Sequence, residues 1–268
     1  MSHLPSSISA LLIQVYGEER EALLSYAIER GHGVDVSDFI SVRVLDDPGR
    51  REELVRWYRA RLPEVRGPVM LHGARWDLVP SARDPKVRAV TMERMAQCVE
   101  IAEELGIGCV VFHLDFNALA HELSYAAAWA KRHGEFWREL LGEKQLTLLL
   151  ENIWEPRPEV VGLENVGACL DVAHVHLNSK LPPSQWVEEL APHLRGLLIS
   201  DNDRSRSQHL PTGQGTIDLA DLLDALDRHG LHLPAVIEVP GVVGARATEE
   251  CLAGVEGGRK TLAADGRG

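Results

Sequence analysis

Short apolar runs recur along the chain, and several of them stop on a residue that carries chemistry. Val69-Met70-Leu71 ends in His72, and Cys109-Val110-Val111-Phe112 ends in His113. Leu148-Leu149-Leu150 runs into Glu151 and Asn152, Ala168-Cys169-Leu170 into Asp171 with His174 beyond, and Ala235-Val236-Ile237 into Glu238. Continuous apolar runs of this length predict strands buried on both faces, as in a parallel sheet. A charged or titratable residue closing such a strand sits badly in a core unless something pairs with it. The repeated ending predicts one polar site ringed by strand ends.

The stretches between the runs supply helices and turns. Residues 8–16 form a first strand, followed by a charged helix over 18–30 that Gly31 stops. Residues 33–40 make a weak second strand, because Asp35, Ser37 and Asp38 interrupt it. Pro48-Gly49 marks a turn, and a helix over 51–61 sets Leu54, Val55 and Tyr58 on one face. Asp84 and Pro85 open a helix as N-cap and first residue, running to Leu105 and ending at Gly106. A fourth helix is predicted over 120–141 and a fifth strand over 146–150. Pro156 and Pro158 leave the fifth helix short or irregular. A sixth helix follows Pro182-Pro183-Ser184 near 185–190, and a seventh strand covers 196–200. A polar loop over 201–216 leads to a helix capped by Asp218, with Asp221 as a box-like partner. The eighth strand is 235–238, and a weaker helix near 248–264 is damaged by Gly257-Gly258.

Strands alternating with helices, without a shift in composition, predict the α/β class and a (β/α)8 TIM barrel, a single domain over 1–268. An open doubly wound sheet is the competitor, but Tyr16-Gly17-Glu18 lacks its Gly-rich phosphate turn. In a barrel, catalytic groups stand at the C-terminal ends of strands, where the polar residues above fall.

Composition narrows the function classes. A formal net charge of -12 argues against wrapping a nucleic-acid backbone. The cysteines Cys98, Cys109, Cys169 and Cys251 show no close pairing, so a reducing, cytoplasmic setting is expected. No segment is long and apolar enough to span a bilayer, and no membrane partner is expected.

Glu151, Asp171 and Glu238 would converge at the barrel mouth. Three ionised carboxylates in a partly dry pocket repel one another, and desolvation costs several kcal/mol for each unpaired ion. They must protonate, pair with arginines such as Arg75, Arg204 or Arg206, or share a divalent metal. With His72, His113, His174 and His209 at hand, metal is the economical answer, and carboxylate plus imidazole suits zinc, manganese or iron. Trp76 and Trp154 follow strand ends and could wall a substrate or pack in the core. Arg204 and Arg206 could grip an anion. His121, His133, His176, His193, His229 and His232 read as surface residues.

In order, Leu71-His72-Gly73, Phe112-His113, Leu150-Glu151-Asn152, Leu170-Asp171-Val172-Ala173-His174, Ser200-Asp201-Asn202-Asp203, His209 to Asp218 and Ile237-Glu238-Val239-Pro240 resemble the xylose-isomerase-like superfamily of barrels. That group includes sugar isomerases, ketose 3-epimerases, inosose dehydratases and the endonuclease IV-like AP endonuclease family 2 enzymes. For the epimerase-like members the resemblance implies one metal on Glu151, Asp171, a strand-seven histidine and Glu238. The two glutamates serve as the acid/base pair, and His174 touches a substrate oxygen. For the nuclease-like members it implies a zinc cluster that also uses His72, His113, His174 and His209. The chain departs from both patterns: Leu198 stands where the strand-seven histidine belongs, and Ser207 where the nuclease-like members carry an aspartate.

The leading expectation is a metal-dependent isomerase or epimerase acting on a sugar, sugar phosphate or related polyol by proton transfer beside a metal-bound carbonyl. Glu151, Glu238 and His174 would be catalytic; His72, His113, Arg204 and His209 would bind substrate. Glu151, Asp171, Glu238 and His113 would hold the metal, manganese or zinc ahead of iron, cobalt or magnesium. A nuclease or phosphodiesterase, and a non-catalytic ligand-binding barrel, are the alternatives. The superfamily often dimerises, which leaves a homodimer open.

Overall fold

Strand residues alternate between two environments with a period of two, and in this chain the alternation closes into a ring. The computed structural model describes residues 4–115, 125–159 and 162–264. Its strands are β1 Ile8–Val15, β2 Gly33–Val36, β3 Val69–His72, β4 Cys109–His113, β5 Thr147–Glu151, β6 Val166–Asp171, β7 Leu194–Ile199 and β8 Leu233–Ile237. They pair in parallel in chain order, and β1 joins β8 through Leu11 opposite Ala235 and Ile13 opposite Ile237, so the barrel is closed as expected.

One residue set points inward. Leu12, Met70, Val111, Leu149, Cys169, Leu198 and Val236, one each from seven strands, form a buried apolar cluster of their own. This is a side-chain layer filling the barrel. A second and larger cluster lies between sheet and helices and includes Leu11, Val110, Phe112, Trp137, Leu148, Trp186 and Leu197.

The helices are α1 Arg20–Arg30, α2 Val42–Asp46, α3 Pro48–Arg61, α4 Pro85–Leu105, α5 Tyr125–Leu141, α6 Val172–Asn178, α7 Pro183–Leu190, α8 Leu219–Arg228 and α9 Gly241–Ala264. None among the described residues is long and apolar enough to cross a membrane.

Several boundaries differ from the sequence reading. β2 stops at Val36, and a 3-10 turn at Asp38–Ile40 and the short α2 follow it. Pro48-Gly49 is the first turn of α3, not a loop: Asp47 caps it by accepting from the Arg50 N–H at 3.0 Å, and Pro48 gives up no needed donor there. β7 ends at Ile199 and β8 at Ile237, so Ser200 and Glu238 stand just beyond their strands. No helix occupies the described part of 152–165, where a short or irregular fifth helix is expected from the sequence; α6 starts directly after β6 and precedes α7. Gly257-Gly258 does not interrupt α9. The buried Ala245, Thr248, Glu249, Leu252 and Glu256 anchor the turns before it, and Arg259 ties the turn after it to Asp224 and Asp227 of α8. The predicted start of the fourth helix at 120, and His121, lie outside the described residues.

Candidate active site

Two residues past each member of the inward apolar layer, the same strands present Gln14, His72, His113, Glu151, Asp171, Ser200 and Glu238. The strand period therefore turns an apolar floor into a polar ring at the C-terminal end of the barrel. The strand-seven position expected for a histidine is Leu198, which lies in the floor at 1% exposed, opposite Asp171 and Val236. β7 gives the ring Ser200, whose buried Oγ finds no partner among the described residues.

Glu151 is the centre of the ring and is fully buried. Its Oε2 lies 3.2 Å from His72 Nε2 and 3.6 Å from His113 Nε2, and its Oε1 lies 3.2 Å from His174 Nδ1. The same His174 nitrogen is 3.2 Å from Asp171 Oδ2 and 3.0 Å from the Asn152 carbonyl. Asn152 ties β5 to β6: its side-chain oxygen accepts from the Asp171 N–H at 2.9 Å and its amide donates to the Asp171 carbonyl at 3.1 Å. Asp171 Oδ1 caps α6 by accepting from the His174 N–H at 2.8 Å, which aims His174 back over the ring. Asp35, fully buried on β2, lies 3.4 Å from His72 Nδ1 and accepts from Ser37 at 2.9 Å. Gly73 lets the chain leave His72, since a Cβ there would come within 2.1 Å of the Phe112 ring.

Glu238 sits on the opposite side of the mouth, accepting from the Gln14 amide at 2.9 Å with Arg75 at 3.8 Å. His209 has a positive φ of 48° and lies between the Glu238 carbonyl, 3.3 Å from Nδ1, and Ser207, 3.1 Å from Nε2. Asp201 organises the long loop by accepting from the backbone N–H groups of Asn202, Gly213 and Ile217 at 2.9, 2.9 and 3.2 Å.

The ring is electrostatically divided. Burial alone would raise Glu151, but the imidazoles of His113, His174 and His72 overcome it and hold the carboxyl well below the usual range. Burial would lower His72 and His174, yet their carboxylate neighbours push both up to about 10. Burial takes His113 the other way, down to about 3. Glu238 is raised by burial, then by the charges of Glu151 and Asp171, and Asp171 is raised by burial against the pull of His174.

The donor set suits a divalent cation. His72, His113 and Glu151 offer ligand atoms within 4.8 Å of one another, and so do Glu151, Asp171 and His174. Both nitrogens of His72, Nε2 of His113, both Glu151 oxygens, Asp171 Oδ2 and Glu238 Oε2 are buried yet make no well-aligned hydrogen bond among the described residues. Close, unaligned donors of this kind lack the partner that burial normally demands. Glu238 belongs to neither three-donor group.

A cavity of about 190 Å³ opens beside the ring, lined by Gln14, Tyr16, Arg75, His209 and Glu238 among others. Arg204 does not line it: its Nε lies 3.5 Å from His176 Nδ1 on the loop, and Arg206 is exposed. Trp76 and Trp154 are each 64% exposed, so neither packs in the core. Two histidines read as surface residues are buried: His133 accepts from the Trp137 ring N–H at 2.7 Å, and His176 pairs with Thr216 at 2.9 Å. The sequence reading missed the ring positions of Asp35, Gln14 and Ser200. A carboxylate in the middle of β2, a strand buried on both faces, was the available signal for Asp35; Gln14 and Ser200 needed the register.

The family described as xylose isomerase-like TIM barrel matches residues 39–256. Among solved structures, the TTHB071 protein from Thermus thermophilus, soaked with zinc chloride, is 26% identical with a TM-score of 0.74, covering 92% of this chain and 98% of its own. A D-tagatose 3-epimerase-like protein is 19% identical with a TM-score of 0.71, over 91% of this chain and 96% of its own. A 3-keto-D-glucoside 4-epimerase from E. coli is 15% identical with a TM-score of 0.66, over 92% and 98%. No curated protein matches the sequence.

Proposed function

The chain belongs to the xylose isomerase-like TIM barrel family, and from that premise we propose that it is a metal-dependent isomerase or epimerase of a sugar, sugar phosphate or related polyol. The observation that carries this is geometric: Glu151, Asp171 and Glu238 are buried together at the barrel mouth, and Glu151 and Asp171 share it with histidines close enough to hold an ion, while both Glu151 oxygens and Asp171 Oδ2 lack aligned partners among the described residues. Two carboxyl groups at the ends of different strands of one mouth can act as base and acid on a substrate held between them. Glu151 takes the proton from a carbon next to a carbonyl, and Glu238 returns one. His174, pinned between Glu151, Asp171 and the Asn152 carbonyl, orients a substrate oxygen. His72 and His113 flank Glu151 and keep its lone pairs directed into the ring. Gln14 fixes the rotamer of Glu238.

A divalent ion would be held by Glu151 with His72 and His113, or by Glu151 with Asp171 and His174, where imidazole and carboxylate suit zinc or manganese. Such an ion supplies Lewis acidity that makes the proton beside a carbonyl easier to remove. Structural neighbours named as epimerases, and a neighbour soaked with zinc, support this reading.

The test is solvent deuterium uptake at carbon, followed by NMR over a panel of ketoses, ketose phosphates and keto-polyols with zinc or manganese added. Glu151→Gln and Glu238→Gln are expected to lose uptake by at least about a hundredfold. Full retention in either variant would end the proposal. A second reading, phosphodiester cleavage, is favoured by one observation: the two three-donor groups share Glu151 and could take two ions. It requires hydrolysis of an abasic or phosphodiester substrate by the same preparation.

A further inference from the structure

The outer wall of the mouth has a chemistry that the proton-transfer residues do not use. Along the cavity, exposure rises from Glu238 at 4% and Gln14 at 6% to Tyr16 at 36%. Charge changes along the same line. The inner end is carboxylate; the wall beyond it carries the guanidinium of Arg75, whose side chain is 22% exposed.

Arg75 has no settled acceptor. Its Nη1 is 3.8 Å from Glu238 Oε1, beyond hydrogen-bond reach, and that oxygen already accepts from Gln14 at 2.9 Å. The guanidinium lies 5.9 Å from the centre of the neighbouring Trp76 ring. It makes no hydrogen bond among the described residues. A guanidinium presents five donors in a planar fork that matches a carboxylate or a phosphate. If Arg75 served only to neutralise Glu238, a direct bond at about 2.8 Å would be expected.

We propose that the cavity takes a compact polyol carrying a phosphate or carboxylate group, seated with that anion on Arg75 and its reacting end toward Glu238. This rests on the reading of the ring as the site of proton transfer. A cavity of about 190 Å³ is small beside the roughly 300–1,000 Å³ of drug-sized sites, which favours a single small molecule over an oligomer. The position of Arg75 just past β3 places the anion on the β1–β3 side of the mouth, away from Arg204.

Calorimetric titration of the metal-loaded full chain with glucitol, glucitol 6-phosphate and gluconate at fixed ionic strength tests this. At least one anion is expected to bind tenfold or more tightly than glucitol, and the stronger of the two identifies the group. Arg75→Gln is expected to erase that advantage and Arg75→Lys to keep part of it. Equal binding of all three probes overturns the inference. So does an advantage that survives in Arg75→Gln, since the anion would then sit on the metal or elsewhere. If no polyol exchanges deuterium but the Arg75-dependent preference is present, the reaction assignment fails and the anion site stands. The reverse pattern removes only the anion site.

Discussion

At the residue scale, the unusual position is Leu198. Its backbone slot is the one the family resemblance assigns to an imidazole, yet its side chain completes the apolar floor with Val236, Cys169 and Leu149. Glu151, Asp171 and Glu238 were legible in the sequence because each closes an apolar run. Leu198 was legible as a departure, but its placement under the ring was not, since inward and outward residues of β7 are both apolar. The same uniformity hid Ser200. Leu198→His should add a donor beneath the ring and disturb the floor. Zinc affinity is expected to rise at least tenfold by titration. The metal-free melting temperature should fall by roughly 2–12 °C, from about 1–3 kcal/mol for burying an unpartnered imidazole in the apolar floor at about 2–4 °C per kcal/mol. Unchanged affinity would mean that the ion does not sit over strand seven.

At the element scale, the strands were readable from their runs and α4 from its Asp84-Pro85 opening. The misses have physical reasons. The short α2 is five residues long and α6 is seven, too short for a helical period to stand out. α9 continues through its glycine pair because of a buried face that the glycines alone do not reveal. That face carries Glu249, which closes the barrel's outer ring by accepting from Tyr26 and Arg30 of α1 and pairing with His32 at 3.2 Å. Burial would raise Glu249, but bonds from Arg30, Tyr26 and His32 bring it down to about 2. A carboxylate lowered on folding stabilises the fold above its unfolded value near 4.5. That stability is lost as pH falls through 4.5 toward about 2. Glu249→Gln is therefore expected to cost on the order of 2 kcal/mol at pH 7 in urea unfolding. It should also flatten the decline of stability across the acid window. A variant that loses stability between pH 4.5 and 2 as steeply as the parent would show that the α1–α9 clamp is not the titrating contact.

At the scale of the whole molecule, an acidic chain of net charge -12 closes a barrel whose mouth gathers Asp35, Glu151, Asp171 and Glu238. Without a metal, the carboxylates push His72 and His174 both up to about 10, so an ion held by either histidine has to displace its proton. On the proposed reading, the closed barrel is the form that would hold a cation, since the candidate donors come from β3, β4, β5, β6 and α6 and meet only when the sheet is complete. Binding to the folded form alone raises stability by about 2.7 kcal/mol at a hundred times the dissociation constant. For a barrel of this size, zinc or manganese should then lift the melting temperature by roughly 5–10 °C, reversed by chelator. The shared ligand separates one ion from two. Glu151→Gln should abolish the shift, because Glu151 belongs to both donor groups, whereas His113→Ala should remove only the group that contains it. Native mass spectrometry finding one ion in the parent, retained in His113→Ala, places it with Asp171 and His174; one ion lost there places it with His72. Two ions falling to one would favour the phosphodiesterase reading. No thermal shift with either metal would leave the carboxylates of the mouth without the cation on which the isomerase reading depends.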